Sequence, residues 1–219
     1  MGERLDFTAS YETPWPKSGD LLIQSGEDWH MNACLNFADD HVEGYATGYK
    51  LAAEILVERV DQTNRDQDRL VYPILFNYRH YVELRLKLII RNACRLLDEE
   101  PRTPAGHKLD LLWTEARPLI ERCYPNDPKS DLDLAQDLIL QFVAADPRSD
   151  GFRYSTDRSG NPNLKDITHI NLRNVYEVVG RLAGMLDSID LGIVCETDAK
   201  ESWESEMRRY YDPGPYDGY

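Results

Sequence analysis

Arg79, Glu83 and Lys87 recur at four-residue intervals, with His80 beside the first of them. On a helix this spacing places the three charges one turn apart and brings His80 and Glu83 into i, i+3 contact. An imidazole next to a carboxylate can act as a general acid or base, and flanking cations can hold a phosphate. The same pattern also reads as an internal ion-pair ladder that fixes helix packing.

Two other short runs carry chemistry. In Gly106-His107-Lys108-Leu109 the histidine opens an expected helix, where it is either a cap or an anion-facing group. In Phe152-Arg153-Tyr154 an arginine lies between two aromatics. It can clamp a phosphate, stack on a base, or pair with one of the many acids. His30, His41 and His169 have no partner in sequence and read as structural. No phosphate-binding glycine loop, nucleophile elbow or H-E-x-x-H pair is present. The cysteines, Cys34, Cys94, Cys123 and Cys195, lack metal-ligand spacing and read as reduced thiols. No metal or other cofactor is expected.

The elements that must position these residues follow from periodicity. Tyr72 to Leu97 reads as one helix, apolar on nearly every side, of the kind found at the centre of a domain. Arg79, Glu83, Lys87, Arg91 and Arg95 form a charged stripe along it. Such a stripe must reach water in a cleft or be paired internally. Before it, the 3–4 spacing predicts a helix from Asp28 to about Asp61. Gly44 and Gly48 on one face of that helix suggest close packing against a neighbour. After it come a third helix over His107 to Arg122 and a fourth that Ser130 or Asp131 caps, ending near Ala145. Asp150 to Asp166 is turn-rich and reads as a small β-hairpin or an ordered loop. The last helix is expected from about Asn171 to Ile189. The fold class is all-α, a bundle of about five helices. An N-terminal arm covers residues 1–27, the helical domain 28–192, and an acidic tail rich in Tyr, Pro and Gly 193–219.

The chain has 219 residues with 39 acidic and 25 basic side chains, a formal charge of −14. Such a charge repels polyanions at long range and disfavours non-specific nucleic-acid binding. A local basic patch exists nonetheless: Asn77 to Arg95 holds five Arg/Lys and one acid. The first residues, MGERLDFTAS, fit neither a signal peptide nor a myristoylation signal. No apolar run approaches the roughly 20 residues of a membrane span. A cytoplasmic protein without membrane contact is expected.

With these residues in view, the chain resembles the HEPN-like families, bacterial all-α domains of toxin–antitoxin, abortive-infection and other antiphage defence loci. The likeness rests on YPILFNYRHYVELRLKLII (72–90), GHKLDLLW (106–113) and GFRYSTDRSG (151–160). With GYATGYKLAAEILV (44–57) it covers roughly residues 30–190. It implies a four- or five-helix bundle, often a homodimer, and in active members a ribonuclease that cuts RNA without metal through R-x4-6-H on a late helix. This chain departs from that pattern. Its late helix offers Arg173-Asn174, but Val178 occupies the histidine position. Arg102 and His107 match R-x4-H in spacing but straddle a proline loop.

Two readings therefore stand. One is a HEPN-like protein that binds RNA or a nucleotide, a metal-independent endoribonuclease with a relocated site. His80 or His107 would then be the acid–base group, Glu83 the residue orienting it, and Arg79, Lys87 and Arg153 the phosphate clamps. The other is a non-catalytic helical interaction module that dimerises or pairs with the product of a neighbouring gene.

Overall fold

The computed structural model describes residues 15–35 and 41–211. The chain divides into two units, 1–39 and 40–219, against an expected boundary near residue 27. In the first unit the described residues form only a 3-10 turn, Trp29–Met31. Beside it, Gly26 N–H donates to Asn32 Oδ1 at 2.8 Å, and Asn32 Nδ2 returns a bond to the Gly26 carbonyl at 2.7 Å. The helix expected from Asp28 therefore starts later. An apolar spacing that includes Trp29 and Ala33 is not enough to hold a helix there, and the first α-helix begins at Val42.

The second unit contains five α-helices: α1 (Val42–Thr63), α2 (Gln67–Leu96), α3 (Leu109–Cys123), α4 (Ser130–Ala145) and α5 (Leu172–Tyr211). No β-strand forms among the described residues, so the architecture is the all-α bundle. α2 lies at the centre. α1, α3 and α5 all pack on it, and α4 packs on α3. Surrounded in this way, α2 buries every residue from Arg85 to Ile90, which is why its sequence is apolar almost all round. Its neighbours complete the main core with Leu112, Trp113, Ile139, Leu182 and Leu186. A smaller cluster of Ala53, Val57, Ile74, Tyr78, Leu172 and Val179 closes one end. Each large apolar side chain buried here contributes about 1.5–3 kcal/mol of transfer free energy.

Helix ends follow local chemistry. Asn64 takes a left-handed conformation (φ 52°), its N–H bonded to the Val60 carbonyl at 2.7 Å, and so ends α1. Asp98 (φ 58°) ends α2 in the same way, with Glu99 N–H on the Cys94 carbonyl at 2.8 Å. Asn171 caps α5: its Oδ1 accepts the Asn174 N–H at 3.0 Å. Ser130 is the first residue of α4 and does not cap it. His107 likewise precedes α3 and does not open it, because Lys108 is still extended.

Two further expectations need correction. Gly44 and Gly48 are exposed, and a Cβ at either would meet nothing within 4 Å, so they mark no close helix packing. The tail from residue 193 is helical as far as Tyr211, because α5 continues past Ile189 along α2. Ile193 and Thr197 are buried there, Arg95 Nη2 pairs with Glu201 at 2.7 Å, and Lys200 pairs with Asp98 at 2.6 Å. Residues 212–219 lie outside the described residues. The segment after α4 is the ordered loop that its sequence offered beside a hairpin, with one isolated bridge, Thr156 to Pro162. Its tip is held by Asp157, whose carboxylate accepts the Ser159 and Asn161 N–H groups at 2.8 and 2.9 Å.

Candidate functional site

Glu83 is the hub of the site. It lies on α2, 1% exposed, and four cationic or imidazole groups turn towards its carboxylate. Lys87 Nζ donates to Oε1 at 2.9 Å, one helical turn on. His107 Nδ1 is 2.7 Å from the same oxygen. Arg79 Nη1 is 3.5 Å and His80 Nδ1 3.8 Å from Oε2, so His80 is an electrostatic neighbour rather than a bonded one. Burial alone would raise the Glu83 pKa. The facing His80, Lys87 and His107 outweigh it and hold the carboxyl at about 2.

Arg79 ties this hub to the 150s loop. Its Nη2 donates to the His107 carbonyl at 3.0 Å, and its Nε faces Asp146 Oδ2 at 3.5 Å, too poorly aligned for a hydrogen bond. The other Asp146 oxygen accepts the N–H groups of Asp150 and Gly151, both at 2.9 Å. A Cβ on Gly151 would sit 3.2 Å from that oxygen, so the close approach favours glycine. Burial lowers the Arg79 pKa, against the pull of Asp146 and Glu83.

Arg153 joins through a ladder of rings. Its guanidinium lies 5.6 Å from the Phe76 centroid and 5.5 Å from that of Tyr154. Phe76 stacks on His80 at 5.7 Å, and Tyr49 meets the His80 ring edge-on at 4.4 Å. The fold thus gathers Arg79, His80, Glu83, Lys87 and His107 around one carboxylate and links Arg153 to them through Phe76. Arg79 and Lys87 are buried and point inward at Glu83 and Asp146. The His107 side chain is 67% exposed, and Arg153 is exposed as well.

A carboxylate held ionised cannot donate a proton, so the Glu83–His107 contact places a proton on Nδ1 of His107. In the neutral ring Nε2 is the basic nitrogen, on an exposed side chain oriented from behind by a buried acid. The arrangement can accept a proton from a hydroxyl and stabilise the resulting imidazolium.

The chain matches no family model, and no curated protein or solved structure matches it significantly.

The two other arginines of the expected motif spacings lie elsewhere. Arg102 is held by Glu115 at 2.7 Å and Glu99 at 3.4 Å. Arg173, on the first turn of α5, pairs with Asp61. The stripe along α2 is not one face. Four-residue steps advance about 40° each on a helix of 3.6 residues per turn, so Arg95 has rotated towards α5, where it meets Glu201.

Sequence reasoning missed a second polar cluster on the opposite side of α2. Arg85, 4% exposed, donates from Nη1 to Glu43 Oε2 at 2.6 Å and to Asp190 Oδ2 at 2.7 Å. Its Nε lies 2.8 Å from Asp187 Oδ1, out of line for a hydrogen bond. Tyr81 Oη donates to Asp187 at 2.6 Å, Lys50 Nζ pairs with it at 3.1 Å, and Asn92 donates to Asp190 at 2.8 Å. Burial raises the Asp190 pKa despite these partners. The one sequence signal was an arginine set two residues off the stripe in a run otherwise apolar on that side. Among the described residues no group of three or more His, Cys, Asp or Glu side chains is arranged to hold a metal ion. No helix among them is long and apolar enough to cross a membrane.

Proposed function

We propose that this chain is a HEPN-like defence or toxin–antitoxin-type protein that acts on RNA, with the Glu83–His107 pair as its acid–base centre. The observation that carries the reading is the buried, ionised Glu83 fixing Nδ1 of an exposed histidine. In this reading His107 Nε2 takes the proton of a ribose 2′-hydroxyl. The 2′-oxygen bonds to phosphorus as the P–O5′ bond breaks, and His80 supplies the proton that the leaving 5′-oxygen takes. The products are a 2′,3′-cyclic phosphate and a 5′-hydroxyl. Arg153, the exposed cation nearest the ring ladder, faces the phosphate. Arg79 and Lys87 act as positioning residues that hold Glu83 and the His107 backbone. The test is cleavage of total RNA in EDTA by wild type, His107→Ala and His80→Ala. Wild type should cut, and His107→Ala should lose at least about 100-fold of the rate, the usual share of an acid–base group. An inert wild type ends the ribonuclease reading.

The second reading, a non-catalytic interaction module, is favoured by one observation. α1 presents Tyr45, Leu51 and Ile55 to solvent, each more than half exposed, beside Gly44 and Gly48. Light scattering tests it: a dimer that Ile55→Glu splits supports this face as a contact surface, and a monomeric wild type counts against self-association.

A further inference from the structure

An open groove of about 840 Å³ runs beside the site, between the start of α2 and the loop around residues 151–172. It does not include Glu83 or His107. Its lining combines exposed rings, Tyr72 (50%) and Tyr154 (60%), with Gln67 and His169, whose polar atoms can bond base edges. Its size falls in the range of small-molecule and cofactor sites. Arg153 stands where the groove meets the ring ladder leading to His80 and Glu83. Its Nε and Nη2 are spent on the Ser149 carbonyl, at 3.1 and 2.5 Å, which fixes the guanidinium plane and leaves Nη1 for an outside acceptor.

The charges limit the occupant. Among the described residues Arg153 is the one arginine or lysine lining the groove, and Asp68 lies in it too. A surface that tracks a duplex backbone needs several cations, since affinity there comes from neutralised phosphates. Rings with sparse charge suit stacked bases of a single strand, because every base has a face to stack. We infer that this groove binds bases of single-stranded RNA, stacked on Tyr72 and Tyr154, with the next phosphate on Arg153. The strand then continues past Phe76 and His80 to His107. This names the substrate class of the proposed centre and so rests on that reading.

The experiment is fluorescence anisotropy with a labelled 2′-O-methyl octanucleotide, which cannot supply the attacking hydroxyl, and with the duplex of the same sequence. Wild type should bind the single strand, and the duplex at least about tenfold more weakly. Tyr72→Ala and Tyr154→Ala should each weaken single-strand binding by about tenfold, within the usual range for one stacked base. Tyr72→Phe and Tyr154→Phe, which keep the rings, should bind as wild type does. No binding by wild type, equal binding of duplex and single strand, or unchanged affinity in both alanine variants overturns the inference. Tyrosine-dependent binding by a protein that cuts no RNA supports the groove and removes the catalytic reading. Cleavage with tyrosine-independent binding does the reverse.

Discussion

His107 Nδ1 lies 2.7 Å from Glu83 Oε1, across 24 residues of chain, and the two differ sharply in exposure: 67% for the imidazole, 2% for the carboxylate. α2 supplies the acid from within the core, and the segment before α3 lays the histidine over it from outside. The acid is therefore shielded from solvent while the base is open to it. Arg79, bonded to the His107 carbonyl, locks the backbone that carries the ring.

Removing the acid should damage stability more than removing the base. Glu83→Ala removes the carboxylate that buried Arg79 and Lys87 both face, leaving Asp146 beside Arg79, and uncompensated buried charge typically costs about 3–5 kcal/mol. His107→Ala removes one bond at the surface and should cost about 1.5–3 kcal/mol at most. Urea unfolding of both variants measures the difference. Equal losses would mean that Glu83 does not organise the cluster.

The acid limb of stability should follow from the same carboxylate. Its pKa is near 2 in the folded chain against 4.5 ordinarily. A depressed value favours the folded state above pH 4.5, and that contribution is lost as pH falls towards 2. The contribution at neutral pH is on the order of 3 kcal/mol. Asp190 opposes it: its pKa is raised by burial, so it disfavours folding once ionised and relieves that cost on acidification. Unfolding free energy followed from pH 6 to pH 2 should fall steeply in wild type and more gently in Glu83→Gln. Parallel curves would refute the assignment.

Arg85 should matter as much as the candidate site does. It is the shared partner of Glu43, Asp187 and Asp190, on α1 and α5. Arg85→Ala leaves the buried Asp190 with Asn92, removes the ties to Glu43 and Asp187, and should lower stability by about 3–5 kcal/mol. Arg85→Ala with Asp190→Ala should cost less than the sum of the two single changes, since the double variant no longer strands Asp190. Strict additivity in calorimetry would show that the pair is not coupled.

The far half of α5 should be part of the folded core. A chain ended at Ile189 loses Asp190, partner of Arg85 and Asn92, together with the buried Ile193 and Thr197. At least about 4 kcal/mol should go with them. A truncated protein with the denaturation midpoint of the full chain would make this segment dispensable.

Gly192 tests how closely α5 approaches the end of α3. A Cβ there would sit 2.5 Å from Tyr124 Oη, so Gly192→Ala must displace the tyrosine ring. A loss of about 1–3 kcal/mol is expected, as for other overpacked sites. Gly184→Ala on the same helix, with open space around it, should be neutral or stabilising by about 1 kcal/mol. Similar effects at both positions would contradict the packing.

The sequence by itself determined the helices and much of the hub. Periodicity placed α3, α4 and the end of α2 to within two residues, though α2 starts five residues before the expected Tyr72, because each buries an apolar face whose spacing is a local property of the chain. Glu83 with Arg79 and Lys87 was legible for the same reason: i, i+4 neighbours on a helix meet whatever else the fold does. The tertiary structure decided the rest. His107 reaches Glu83 only because α3 folds back along α2, and Asp146 reaches Arg79 only because α4 ends beside it. The charged continuation of α5 is helical because Arg95 and Asp98 receive Glu201 and Lys200, and Arg85 is tolerable in the core because α1 and α5 each bring it an acid. These partners stand tens of residues apart, and a pairing of that range leaves no periodic trace in the chain. It becomes visible only when burial makes an unpaired charge too costly and the fold supplies the opposite one.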